Sequence, residues 1–153
     1  MENNHHFDLI IVGGGPAGLT AGIYGAMAKL KTLILNEGTA GGQLVLTHEI
    51  ANYPGIESTS GYMLGSTMAR QARNFGCTIR SNVRISSLNL NDDIKQVEVN
   101  EKDLYSADAV ILSPGGRSRT LGVPGETELK GRGISYCATC DGDFFQDKNI
   151  IVV

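Results

Sequence analysis

The sequence predicts an α/β fold. A mainly parallel sheet opens with a βαβ unit, carries an inserted antiparallel β-meander, and leads into the start of a second unit of the same kind. Three observations carry this. Short apolar runs at 7–12, 32–35 and 107–112 lack polar alternation, which is how strands covered on both faces read. Helical spacing fills 16–30 and 60–75. Between 83 and 105 apolar residues alternate with polar ones instead, around the turn Asn91-Asp92-Asp93.

Taken in order, Phe7-Asp8-Leu9-Ile10-Ile11-Val12 is the first strand and runs into Gly13-Gly14-Gly15-Pro16-Ala17-Gly18. From Pro16, a residue suited to a first helical turn, Leu19, Ile23, Met27 and Leu30 recur at helical spacing as the expected apolar stripe. Gly18, Gly22 and Gly25 make a small-residue edge on which that helix can lie close to a sheet. Thr32-Leu33-Ile34-Leu35 is the next strand, with Glu37 just past its end, and the crossover is expected to be right-handed. The polar, Gly-rich stretch from Asn36 to about Thr59 is long enough to suggest a binding loop. Ser60 to Phe75 reads as a helix with Leu64, Met68, Ala72 and Phe75 on one face and Gly76 at its C-cap. Cys77 to Arg80 reads as a strand. Ile85–Leu90 and Ile94–Val99 form the meander, and Ala107–Leu112 a separate buried strand ended by Ser113-Pro114-Gly115-Gly116. Asn149-Ile150-Ile151-Val152-Val153 reads as the first strand of a further βαβ unit, so the chain is expected to be part of a longer protein.

Composition narrows the function. The 153 residues suit about one domain's length, and 41% hydrophobic against 19% charged residues excludes a disordered tail. A net charge of −3 offers no footprint for nucleic acid. No apolar run approaches the ~20 residues of a membrane helix, and the opening residues lack a signal peptide's basic and apolar regions. A cytoplasmic address with neither nucleic-acid nor membrane partner is the expectation. The 3 cysteines, odd and sparse, exclude a secreted disulfide scaffold. The 20 glycines, about twice the usual share, are clustered where backbone must turn sharply or meet a ligand closely.

Two motifs carry chemistry. Gly13-x-Gly15-x-x-Gly18 follows a strand and opens a helix, the context of a dinucleotide fingerprint in a Rossmann-like unit. Its glycines permit the tight turn, backbone approach to a pyrophosphate and close helix packing, while the helix N-terminus supplies N–H donors. Glu37, about 20 residues after Gly18, stands where a carboxylate can take ribose hydroxyls. The plainer reading is a Gly-rich turn without a ligand. Cys137-x-x-Cys140 reads as a zinc half-site, as two inert thiols, or as a redox dithiol. The other candidate ligands, Cys77, His5, His6 and His48, show no second paired spacing, which favours the dithiol. A helix N-terminus would lower a thiol pKa there, and Asp141 could move a proton or merely complement the helix dipole. Arg117, Arg119 and Arg132 read as ordinary exposed residues.

With the fingerprint, Gly41-Gly42-Gln43-Leu44, Asn52-Tyr53-Pro54-Gly55 and Cys137-Ala138-Thr139-Cys140-Asp141 in view, the chain from about Asp8 to Val153 resembles the N-terminal part of the bacterial thioredoxin reductases, FAD-dependent disulfide reductases. The resemblance implies a Rossmann-like FAD-binding domain at 1–115, lacking a C-terminal completing segment, and the truncated beginning of an NADPH and dithiol domain at 116–153. It implies pyrophosphate contacts from Gly13, Gly15, Pro16, Ala17 and Gly18, and Glu37 near the adenosine ribose. Gly41, Gly42, Gln43, Leu44 and Asn52 would lie beside the flavin, Val83 near the adenine, and Gly115 would offer a further FAD contact. It makes Cys140 the thiol that receives electrons from the flavin, Cys137 the thiol that attacks the substrate disulfide, and Asp141 the acid for the leaving thiolate. The implied cofactors are FAD and NADPH, the latter's site lying outside this chain, with a thioredoxin-like dithiol protein as partner and a homodimer as the intact state.

The chain departs from the resemblance at Ser113-Pro114-Gly115, where the family carries an Ala-Thr-Gly-like sequence and Pro114 withholds an N–H. Other readings are a reductase fed by ferredoxin, and a non-catalytic, incomplete flavoprotein fragment. An alkyl-hydroperoxide-reductase flavoprotein shares the motifs but normally has an extra N-terminal region.

Overall fold

The computed structural model describes residues 5–153. The chain divides into two compact units, Met1–Gly115 and Gly116–Val153.

The first unit is built on one six-stranded sheet: β1 (His6–Val12), β2 (Thr32–Asn36), β3 (Thr78–Ser81), β4 (Ile85–Asn89), β5 (Lys95–Val99) and β6 (Asp103–Leu112). Their spatial order is β3-β2-β1-β6-β5-β4. β1 pairs in parallel with β2 (Leu9 opposite Thr32) and with β6 (Leu9 opposite Ala109), and β2 in parallel with β3. β5 runs antiparallel to β6 and to β4. This is the Rossmann-like mixed sheet with its meander.

The apolar runs are continuous because β1 and β2 serve two cores. Leu9, Ile11 and Ile34 face a cluster with Leu19, Leu64, Met68, Ala69 and Ala72, which come from α1 (Pro16–Met27) and α2 (Gly61–Asn74). Their neighbours Ile10, Leu33 and Leu35 point the other way, against Val97, Val99, Tyr105 and Ala107 of the meander strands. A period-two pleat with both faces covered leaves no room for polar alternation.

Four expectations need correction. In α1 the buried residues are Gly18, Leu19, Gly22, Gly25 and Ala26, while Met27 is 54% exposed and Leu30 also exposed. The glycine edge faces the sheet together with Leu19 and the partly buried Ile23, the first half of the stripe: a Cβ on Gly22 would come within 2.6 Å of Ile34 Cδ1, so only a bare backbone approaches that closely. Phe75 is the C-cap of α2 and 50% exposed, because the helix stops there and Gly76 turns away at φ +108°. The Tyr105 and Ala107 segments are one strand, β6, which pairs antiparallel with β5 along Asp103–Ala107 and parallel with β1 along Ser106–Leu112. The run 149–153 forms no strand and is exposed, since extended backbone becomes a strand only beside a partner.

The second unit has little regular structure: α3 (Glu126–Leu129), α4 (Ala138–Asp141) and a 3₁₀ turn at Gly142–Phe145. No described helix is long and apolar enough to cross a membrane.

Candidate functional site

In the first unit the glycine loop lies between β1 and α1. Gly13 sits at φ +110°, a conformation that side chains rarely adopt, and a Cβ there would come within 2.0 Å of the Ser113 carbonyl oxygen. On Gly18 a Cβ would come within 1.8 Å of the Gly13 carbonyl oxygen. Packing and dihedral angle explain both glycines without a ligand.

Gly15 is different. Its φ of −77° and ψ of −175° suit any residue, and the nearest atom to an added Cβ is Gly42 Cα at 3.8 Å, an ordinary contact. Nothing in the folded chain requires glycine there. The loop's N–H groups separate in the same way. Gly13 N–H donates to Leu35 O at 2.8 Å and Gly14 N–H to Asn36 Oδ1 at 2.9 Å. Among the described residues those of Gly15, Ala17 and Gly18 have no acceptor, and the first bond of α1 runs from Leu19 N–H to Gly15 O at 2.9 Å. Pro16, at the first turn, has no N–H to satisfy. Donors at the positive end of a helix, beside a residue that leaves its space open, are the arrangement to which an anionic group can bond.

The flanking loop is tied to this arrangement. Gly41 N–H donates to Gly14 O at 2.7 Å, and a Cβ on Gly42 would meet Gly15 Cα at 2.9 Å, so Gly41 and Gly42 lie directly against the fingerprint. Gln43 and Leu44 continue in the 3₁₀ turn Gly42–Leu46, with Leu44 packed on the α1/α2 core. Asn52 is exposed and lines an open hollow made by residues 51–57. Glu37 is exposed and its Oε1 accepts the Ile85 N–H at 3.4 Å, which holds the carboxylate beside the start of β4. Val83 is buried in the meander-side core and its N–H donates to Asn36 O at 3.2 Å. Gly115 is open, with nothing within 4 Å of an added Cβ.

Two residues that hold this loop escaped sequence reasoning. Buried Asn36 accepts from Gly14 N–H and donates through Nδ2 to Gly38 O at 2.6 Å, bracing the loop against the Glu37 turn. Its only signal is a polar residue closing an apolar strand. Ser113 Oγ lies 3.1 Å from both Val12 O and Gly13 O, so its hydroxyl clamps the end of β1. That hydroxyl belongs to the residue before Pro114, so the loop is held without an N–H from the proline.

The second unit carries the cysteines. Cys137 and Cys140 form a disulfide, with Cα atoms 5.2 Å apart. Cys137 is the N-cap of α4: its Sγ accepts the Cys140 N–H at 3.2 Å, and its carbonyl accepts the Asp141 N–H at 3.0 Å. A turn of helix thus brings the two sulfurs together, with Asp141 next in the chain after Cys140, and Asp141 Oδ2 takes a bond from Ser135 Oγ at 2.6 Å. Among the described residues no three of His, Cys, Asp or Glu gather as a metal site. His6 instead bonds Ser106 and Asp108 at the far end of β1.

Glu126, also unforeseen, is 6% exposed and collects four donors: the N–H groups of Leu121 (2.8 Å), Gly122 (2.6 Å) and Val123 (3.3 Å), and the Tyr136 hydroxyl. The Tyr136 bond, then the backbone donors, hold its carboxyl below the usual carboxylate range, and the same bond raises the Tyr136 phenol. Cys77, the third cysteine, is a buried free thiol that donates to Gly22 O at 3.0 Å, and burial pushes its pKa up.

Comparison with known proteins decides the family. Residues 7–153 match the model of the pyridine nucleotide-disulphide oxidoreductases. The chain belongs to that family. It is 47% identical, over 100% of its length and 48% of the relative's, to a thioredoxin reductase of Peptoclostridium acidaminophilum. To a thioredoxin reductase of Bacillus subtilis it is 42% identical, again over 100% of the chain and 48% of the relative. Among solved structures, a thioredoxin reductase from Streptococcus pyogenes superposes with a TM-score of 0.86 at 39% identity, covering 95% of this chain and 47% of that one. The chain therefore spans about half the length of the curated relatives it matches.

Proposed function

We propose that this oxidoreductase chain provides the FAD cradle and the redox dithiol of a thioredoxin-disulfide reductase that takes electrons from NADPH. The carrying observation is the pair of features that folding alone leaves unexplained: an open Gly15 among three unclaimed N–H groups, and a Cys-x-x-Cys disulfide at the head of a helical turn. The thioredoxin reductases among its relatives supply the substrate class.

In this reading Met1–Gly115 belongs to the FAD-binding domain and Gly116–Val153 to the domain of the dithiol and NADPH. Gly15, Ala17 and Gly18 N–H groups hold the pyrophosphate, with Gly13, Pro16, Gly41 and Gly42 shaping the cradle. Glu37 takes the ribose hydroxyls, Val83 flanks the adenine, and Gln43, Leu44, Asn52 and Gly115 border the flavin. FAD, when bound, supplies the two-electron redox chemistry. Cys140 receives the electron pair as the disulfide opens. Cys137, as thiolate, attacks one sulfur of the substrate disulfide. The substrate's other sulfur leaves as a thiolate; Cys140 then attacks the Cys137 sulfur, frees the substrate sulfur bonded to it and regenerates the Cys137–Cys140 bond, so two electrons reach the substrate. Asp141 gives the leaving thiolate its proton. A reducing compartment, the cytoplasm, suits a thiol cycle of this kind.

In the enzyme, Cys140→Ser is expected to abolish thioredoxin-dependent NADPH oxidation. Turnover equal to the parent's would remove the dithiol from the reaction.

A further inference from the structure

We infer that Ser135 is a positioning residue that holds the Asp141 carboxylate at the dithiol, an inference that rests on reading Asp141 as the acid of that site. The Ser135 oxygen lies 2.6 Å from Asp141 Oδ2, 3.3 Å from the Cys137 carbonyl, and 3.1 Å from the Cys137 N–H, which donates to it. A hydroxyl has one proton, and it goes to the closer, charged oxygen. One side chain thereby links the backbone of the first cysteine to the acid, which lies six residues beyond the serine in the sequence.

Without that link, and among the described residues, Asp141 is held only through its main chain, by the N–H bond to Cys137 O. That bond places the residue and leaves the carboxylate free to rotate about two side-chain torsions. A proton donor works only when it lies within hydrogen-bond reach of the atom that takes the proton, so holding the carboxylate is worth rate. The 3₁₀ turn packed against α4 brings one titratable side chain, Asp143. It carries the same charge as Asp141 and cannot replace the serine's donor.

The step can be read on the chain itself. When dithiothreitol reduces the Cys137–Cys140 disulfide, a reagent thiolate bonds to one protein sulfur and the S–S bond breaks. The other sulfur leaves with the bonding pair and takes the proton of the Asp141 carboxylic acid. The reagent's second thiol, losing its proton to solvent, closes the reagent's own disulfide and frees the first protein sulfur, so two electrons pass to the protein.

The test follows thiol release from the oxidised 153-residue chain between about pH 5 and pH 8, with rates divided by the reagent's thiolate fraction and trapped by alkylation. The parent's corrected rate is expected to rise toward low pH, the mark of an acid-assisted step, and Asp141→Asn to remove the rise. Ser135→Ala is expected to lower the rate at the acid end about tenfold, toward the Asp141→Asn profile, and Ser135→Thr to restore it. A parent-like profile in Ser135→Ala, or equal loss in Ser135→Ala and Ser135→Thr, overturns the inference while leaving Asp141 its role. A flat parent profile that Asp141→Asn does not alter overturns the acid assignment itself, and the inference with it.

Discussion

Alanine at each fingerprint glycine separates what folding demands from what a ligand demands. In Gly18→Ala the new Cβ stands 1.8 Å from the Gly13 carbonyl oxygen, where real Cβ atoms stay beyond 3.0 Å. The obstacle is main chain within reach of the Ser113 hydroxyl at 3.1 Å, so relief requires moving the loop or the helix by more than an ångström. Gly13→Ala adds backbone strain at φ +110° to a 2.0 Å clash with Ser113 O. Overpacking of this kind costs roughly 1–3 kcal/mol, and left-handed strain of order 1–3 kcal/mol more at Gly13. In Gly15→Ala the Cβ meets nothing nearer than 3.8 Å. The expected stability change is within about 1 kcal/mol, a small N-cap loss offset by lower unfolded-state entropy. The assay is denaturant unfolding of the chain followed by circular dichroism, with and without FAD. Ligand at about 100 times its dissociation constant adds roughly 2.7 kcal/mol to the parent. Gly15→Ala should match the parent without FAD and lose most of that increment with it. Should Gly15→Ala prove as unstable as Gly18→Ala, or keep the full increment, the cradle argument is refuted.

Three further outcomes follow from the geometry. Asn36→Asp swaps the donor to Gly38 O for an acceptor, so the loop brace is expected to weaken by about 1–3 kcal/mol, read by the same unfolding measurement. Glu126 has a folded pKa below its unfolded value, so its contribution is present above the unfolded pKa and is lost as pH falls through the lower folded one. The Leu121–Val123 amides should therefore lose hydrogen-exchange protection in acid, at a pH below the usual carboxylate range, and Glu126→Gln should remove that pH dependence. Cys77, buried and bonded to Gly22 O, should resist alkylation in the native chain, whereas Cys137 and Cys140 should alkylate promptly once reduced, as mass spectrometry of trapped samples would show.

Much of the fold was legible because β1 and β2 needed apolar side chains on both faces, which is a local signature. The positions of the fingerprint glycines and of the Cys-x-x-Cys pair were legible for the same reason, since each motif closes its own turn within a few residues. The meander misled at β6, where one strand serves two neighbours and carries two patterns in succession. Met27 and Leu30 misled because helical periodicity finds a stripe of large residues, while closeness of approach selected the glycines.

Sequence alone determined the βαβ opening, the glycine-rich turn between β1 and α1 and the paired thiols, all of which depend on residues near one another along the chain. Only the tertiary structure decided which fingerprint glycine folding leaves unexplained, and it alone found Asn36 and Ser113 holding the loop and Glu126 gathering four donors. Those facts depend on distances between segments up to 101 residues apart, and a hydrogen bond or a steric clash exists only once the chain has folded to bring its two atoms together.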